Sequence, residues 1–121
     1  MKFCHVTLSV KDLDASIRFY TDVVGLSVSA RYQSGDAEIA FLGSGETKVE
    51  LIRHRNRPDA AIGDGVSIGF EVASVPEKLE SLKGGAVLVV SPIIQPNPRV
   101  RFFYVTDPDG LRVQFLENMN P

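Results

Sequence analysis

The sequence predicts an α+β fold of two βαβββ modules, forming a curved mixed sheet with a polar concave cleft and helices on the outer face. Three observations predict it. The stretch 38–52, EIAFLGSGETKVELI, falls on the closing hairpin 101–118, RFFYVTDPDGLRVQFLEN, at a shift of 64 positions, setting Phe41 on Val105, Val49 on Val113, Glu50 on Gln114 and Leu51 on Phe115. The opening strand HVTLSV falls on VSIGFEV at a shift of 62, which sets Val6, Leu8 and Val10 on Ile68, Phe70 and Val72, and His5 on Ser67. Each copy carries an apolar stripe at helical spacing between its first strand and its hairpin. With 121 residues in total, the copies are expected to share one core as a single domain 1–121, with module one at 1–57 and module two at 65–118.

Residues 3 to 10 alternate, with Val6, Leu8 and Val10 on one side and His5, Thr7 and Ser9 on the other, which is a strand with one face on a core. Cys4 is expected on its apolar side as a small buried residue. Asp12 caps a helix whose stripe is Leu13, Ile17, Tyr20 and Val24, and Gly25 ends it. Strands follow over Leu26 to Tyr32, Glu38 to Leu42 and Thr47 to Arg53, with Gly35 and Asp36 in the first turn. His54 to Asp64 reads as the polar connection between modules, and the basic run Arg53, His54, Arg55 and Arg57 as a solvated stretch.

In the second copy Ser74 and Glu77 form a capping box with Pro76 in the first turn, Leu79 and Leu82 supply the stripe, and Gly84 and Gly85 stop the helix. A strand is expected over Ala86 to Val90, then a loop through Pro92, Pro96 and Pro98. The closing hairpin turns on Asp107, Pro108 and Gly110, the composition of a type I turn. Pairing across that turn is expected to put Phe103 opposite Gln114, Phe102 opposite Phe115 and Tyr104 opposite Val113. The tail after Glu117 is expected to fray.

With net charge −2 and 23% charged residues, the chain offers no electrostatic footprint for nucleic acid or an anionic membrane. A single cysteine permits no intrachain disulfide, and no secretory leader or membrane-length run is present, so a cytoplasmic protein is expected. The chemistry gathers on the strand face away from the helices. That face is expected to collect His5, Thr7, Glu50, Ser67, Gly69 and Gln114, with Lys48, Arg101, Phe103 and Arg112 in the same register. Imidazole, carboxylate, amide and guanidinium groups inside a small apolar domain suit an oxygen-rich small molecule. Arg31 and Arg101 are expected to grip a substrate carboxylate or phosphate bidentately, with Phe103 packing or stacking beside it and Ser67 contacting substrate.

The βαβββ repeat, the opening HVTLSVKDLDASIRFYTDVVGL and the closing FYVTDPDGLRVQFLE together resemble the vicinal oxygen chelate superfamily. Its members include glyoxalase I, extradiol dioxygenases, epimerases, fosfomycin-type resistance enzymes and metal-free bleomycin-binding proteins. The resemblance covers essentially the whole chain and lies nearest glyoxalase I. It implies a homodimer, a small-molecule substrate and a divalent metal such as Zn, Ni, Mn or Fe. The four metal positions of the family fall on His5, Glu50, Ser67 and Gln114. Ser67 replaces a usual histidine and Gln114 a usual glutamate, so His5, Glu50 and Gln114 are the metal ligands the resemblance implies. Glu50 and Gln114 also occupy its catalytic positions; a glutamate can take up a proton and a glutamine cannot. Dioxygenase chemistry wants two histidines and a carboxylate on iron, and only His5 is available. The function expected is therefore a glyoxalase-like metal-dependent lyase or isomerase, its alternative a metal-free protein that sequesters a small molecule.

Overall fold

The computed structural model describes residues 1–59, 61–63 and 65–119. The chain divides into two compact units, Met1–Ile62 and Gly63–Pro121. The first contains β1 (His5–Ser9), α1 (Leu13–Arg18), β2 (Val28–Ser34), β3 (Ala37–Leu42) and β4 (Lys48–His54). The second contains β5 (Ser67–Glu71), α2 (Val75–Ser81), β6 (Leu88–Val89), β7 (Ile94–Asn97), β8 (Val100–Thr106) and β9 (Arg112–Asn118). Each is a mixed sheet, ordered β1-β4-β3-β2 in the first and β5-β9-β8-β6 in the second, where β7 also pairs with β8. In each, the first and last strands run parallel side by side and the remaining pairs are antiparallel.

Alternation along the strands decides which face is buried. In the first unit Leu8, Val10, Ala40, Leu42, Val49 and Leu51 are buried, as are Leu13, Phe19 and Tyr20 of the helical segment, whose α1 packs on β3 and β4. Asp12 starts that segment by accepting the Ala15 N–H at 3.0 Å, a cap worth about 1 kcal/mol. Past α1 the chain widens into a π-helical turn over Phe19–Val23, in which the Val24 N–H reaches the Phe19 carbonyl at 3.3 Å. Gly25, at φ 92°, then lets the Leu26 N–H close back on Tyr20 O at 2.9 Å.

The second unit buries Val75, Phe103, Val105, Leu111, Val113 and Phe115. The Ser74 hydroxyl accepts the Glu77 N–H at 3.2 Å, as its capping position predicts. Glu117 Oε1 accepts the Val75 N–H at 2.8 Å and also pairs with Arg101, so β9 holds the start of α2. The first unit has a pair of reversed polarity in the same place: Arg53 of β4 meets Glu38 of β3 at 3.4 Å and donates to the Lys11 carbonyl ahead of α1 at 3.2 Å.

The closing hairpin departs from its expected register. Phe103 pairs with Phe115, Tyr104 with Gln114 and Phe102 with Leu116, one residue from the expected partners. The cause is the turn. Asp107 Oδ1 accepts from the N–H groups of both Asp109 and Leu111 at 2.9 Å, and Asp107 N donates to Leu111 O, which closes the loop over five residues, 107–111. Between the equivalent pairs Leu42–Val49 and Val105–Val113 lie six and seven residues respectively, so a constant shift of 64 misplaces β8 by one. Tyr104, not Val105, is the counterpart of Phe41. A one-residue slip exchanges the two faces of a strand.

Other differences are local. The strand expected over Ala86 to Val90 is confined to Leu88–Val89, and the Pro-rich loop contributes β7, an edge strand where Pro96 removes no interior ladder bond. Cys4 precedes β1 and is exposed rather than buried. At the tail, Asn118 belongs to β9 and the Met119 N–H donates to Arg99 O at 2.7 Å, while Asn120 and Pro121, like Ala60 and Asp64 of the connection, lie outside the described residues.

Candidate functional site

Each unit presents a sheet face turned away from its helix, and the polar side chains on it follow from strand pairing. In the first, Thr7, Glu50 and Phe41 are direct cross-strand neighbours on β1, β4 and β3. The Thr7 hydroxyl donates to Glu50 Oε1 at 2.6 Å. His5 lies one step along the same face, with Nε2 3.6 Å from Glu50 Oε1. The Phe41 ring stands edge-on to the imidazole, 5.5 Å between centroids, and Tyr32 stacks on its other side. Cys4 Sγ is 3.5 Å from His5 Nδ1. Beside His5 opens a cavity of about 420 Å³ lined by Cys4, His5, Phe41, Lys48, Lys2 and Ala30 among others, within the size range of small-molecule pockets. Imidazole nitrogen and carboxylate oxygen so placed, with 39% of the His5 side chain accessible, are suited to a cation or a polarised substrate oxygen.

In the second unit the same register holds Gly69, Gln114 and Tyr104 on β5, β9 and β8, with Ser67 opposite Arg112. Gln114 Nε2 donates to the Tyr104 hydroxyl oxygen at 3.0 Å. The Arg112 guanidinium lies over the Tyr104 ring, 4.2 Å from its centroid. Gly69 leaves room beside the amide, because a Cβ there would stand 3.0 Å from Gln114 Oε1.

Two residues expected on this face, Phe103 and Arg101, leave it, and a third candidate, Arg31, lies on the helix side. Phe103 is fully buried on the helix side, tilted against Phe115 at 5.6 Å between centroids. Arg101 shares its side and is held bidentately by Glu117, at 3.0 Å and 3.2 Å. Those bonds, with the Val75 N–H, hold the Glu117 carboxyl below the usual carboxylate range. Arg31 pairs across β2 and β3 with the buried Ala40, on the helix side, where its guanidinium meets Asp14 at 2.8 Å. Tyr104 and Phe41 take up the face instead. Counting turn residues, six in one hairpin and seven in the other, is the signal that finds Tyr104.

The donor chemistry bears on a metal. His5 and Glu50 fit a divalent ion, and Gln114 can add an amide oxygen, whereas the Ser67 hydroxyl is a poor ligand at neutral pH. Among the described residues, no three histidine, cysteine, aspartate or glutamate side chains form a cluster able to hold a metal ion.

A family model described as the Glyoxalase/Bleomycin resistance protein/Dioxygenase superfamily matches residues 2–115. The chain belongs to this superfamily. Among its relatives, a probable lactoylglutathione lyase of Synechocystis is 28% identical over 97% of this chain and 95% of its own length. A Bacillus subtilis protein, YwbC, is 31% identical over 93% of this chain and 94% of its own. The trypanothione-dependent glyoxalase I of Leishmania major superposes with a TM-score of 0.83 at 24% identity, over 97% of this chain and 86% of that one. The superfamily fold thus spans the chain, and among the described residues no helix is long and apolar enough to cross a membrane.

Proposed function

We propose that the chain is a glyoxalase-like lyase or isomerase that acts on a small oxygenated substrate with a divalent metal, Zn, Ni, Mn or Fe, held by His5, Glu50 and Gln114. The observation that carries the reading is the His5–Glu50 pair, two strong donors 3.6 Å apart on the face away from the helix. The relatives named lactoylglutathione lyase support the same chemistry. When bound, such an ion polarises a substrate carbonyl. Glu50, fixed by Thr7, serves as ligand or as proton acceptor, and Gln114 as an oxygen donor only. Ser67 offers a hydroxyl to substrate. The proposal extends to a cytoplasmic homodimer that takes a small-molecule substrate.

The test is elemental analysis of protein purified without chelator, set against the double variant His5→Ala, Glu50→Ala. Near-stoichiometric metal that disappears in the variant is expected, and would justify a screen of hemithioacetals, epoxides and epimerisable acids. Protein that stays metal-free after soaking in Zn, Ni, Mn and Fe(II) would overturn the reading and leave the sequestering one.

A further inference from the structure

We infer that the cavity beside His5 selects a small organic acid whose carboxylate is held by Lys48, an inference that names the substrate class of the function proposed above and rests on it. The residues that hold the acid all belong to the first unit. Lys48 stands opposite His5 in the β1–β4 pairing and two residues before Glu50, so the three side chains share one face. The Lys48 N–H donates to Cys4 O at 2.9 Å, which anchors the residue in the cavity wall.

Lys48 is a cation that this face leaves unspent. Arg31 and Arg101, from which an anion grip was expected, are taken by Asp14 at 2.8 Å and by Glu117 at 3.0 Å and 3.2 Å. Glu50, the next acid along β4, meets Thr7 and His5 instead. Among the described residues the Lys48 ammonium has no carboxylate partner, although the residue is half-buried. Among the same residues the cavity wall carries two ammonium groups, Lys2 and Lys48, and one carboxylate, Glu46. A half-shielded charge without a counterion favours an incoming anion.

The neighbouring groups narrow the kind of acid. His5 and Glu50 suit an oxygen on the reacting carbon, and Phe41, edge-on to His5 at 5.5 Å between centroids, offers an apolar wall. Alternate residues on a strand stand about 6.5 Å apart, a gap between Lys48 and Glu50 that the flexible lysine stem closes. The carboxylate therefore sits close to the reacting carbon. That describes a 2-hydroxy or 2-oxo acid with an apolar or aromatic substituent, small enough for a cavity of about 420 Å³.

The test uses chelator-treated protein, so that binding is read without an ion. Mandelate and its neutral amide would be titrated into the native chain, Lys48→Met and Lys48→Arg, and followed by calorimetry and by the His5 ring resonances. Mandelate is expected to bind the native chain, to weaken about five- to tenfold in Lys48→Met and to change less than about twofold in Lys48→Arg, the loss shrinking as salt is raised. The amide is expected to bind weakly and equally to all three. Lys48→Arg, which keeps the charge, guards against a loss caused by unfolding. Acid and amide bound equally well, equal losses of both in Lys48→Met, or no binding of either would overturn the assignment. Displacement of mandelate by an equal concentration of inorganic phosphate would overturn it too. Failure of the parent reading looks different: no metal uptake and no turnover, while mandelate is still preferred to its amide.

Discussion

The two units hold the side chain at the centre of their polar face from opposite sides. In the first, Glu50 is gripped by Thr7 on the parallel neighbour, and Phe41 on the antiparallel neighbour offers no hydrogen bond. In the second, Gln114 is gripped by Tyr104 on the antiparallel neighbour, and Gly69 on the parallel side only makes room. One backbone register thus carries two chemistries: a carboxylate that accepts from a hydroxyl, and an amide that donates to one. The ion pairs on the helix side are reversed in the same way, Glu38–Arg53 in the first unit and Arg101–Glu117 in the second. Repetition preserves pairing geometry and leaves side-chain polarity free to change.

The comparison stands or falls on the register of β8 against β9, and the largest expected effect tests it directly. Phe103→Ala removes a fully buried ring packed on Phe115 and should cost about 3–5 kcal/mol in urea unfolding, against about 1–2 kcal/mol for the half-buried Phe102→Ala. Equal costs, or a reversed order, would return Phe103 to the polar face on which the sequence reading expected it. Next comes the turn that sets this register. Asp107→Ala leaves two inward N–H groups without their acceptor, and a loss of about 1–3 kcal/mol is expected in the same measurement. Asp107→Asn, which keeps an acceptor oxygen, should recover most of it.

On the other face, Thr7→Val removes the hydroxyl from Glu50 at nearly constant shape. Its exposure limits the expected loss to about 0.5–1.5 kcal/mol, seen as a lower unfolding midpoint, and a midpoint equal to the native one would show that Glu50 needs no such hold. The smallest change at neutral pH is expected from Glu117→Gln, which keeps an acceptor for the Val75 N–H and loses only the charge facing Arg101. Its value lies in the pH dependence. The folded Glu117 carboxyl is held below its ordinary 4.5, so the stability it adds is fully present above that value and disappears as pH falls through the lowered one. Urea midpoints of native and variant chains should therefore differ at pH 7 and converge in acid; a gap that persists in acid would assign the effect to packing.

What the sequence made legible was local or parallel. The Asp12 and Ser74 caps, the stop at Gly25 and the Asp107–Gly110 turn each follow from a residue acting on backbone within a few positions. The shifts of 62 and 64 also carry the His5–Glu50 relation onto Ser67–Gln114, and the parallel pairings of β1 with β4 and of β5 with β9 keep that relation. Antiparallel register was not legible in the same way. It depends on how many residues the turn consumes, and the side-chain hydrogen bonds of Asp107 that fix the number are invisible to periodicity. Arg101 and Phe103 changed face for that single reason. The side of Arg31 was not legible, because a charged residue on an exposed edge strand gives no signal of it, and Cys4 was misplaced because alternation does not say where a strand begins.

The extra residue in the second hairpin also limits how the modules can be exchanged. A chimaera that grafts only β8 onto β3 at constant offset, keeping the first unit's turn, would seat Tyr104 at the site of Ala40, a position with no accessible surface, and would turn its hydroxyl towards the helix. A graft that shortens the turn by one residue would instead bring Tyr104 and Gln114 together onto the positions of Phe41 and Glu50. A strand can therefore be exchanged between these halves alone only with a change of loop length, whereas a whole hairpin can be exchanged with its own turn.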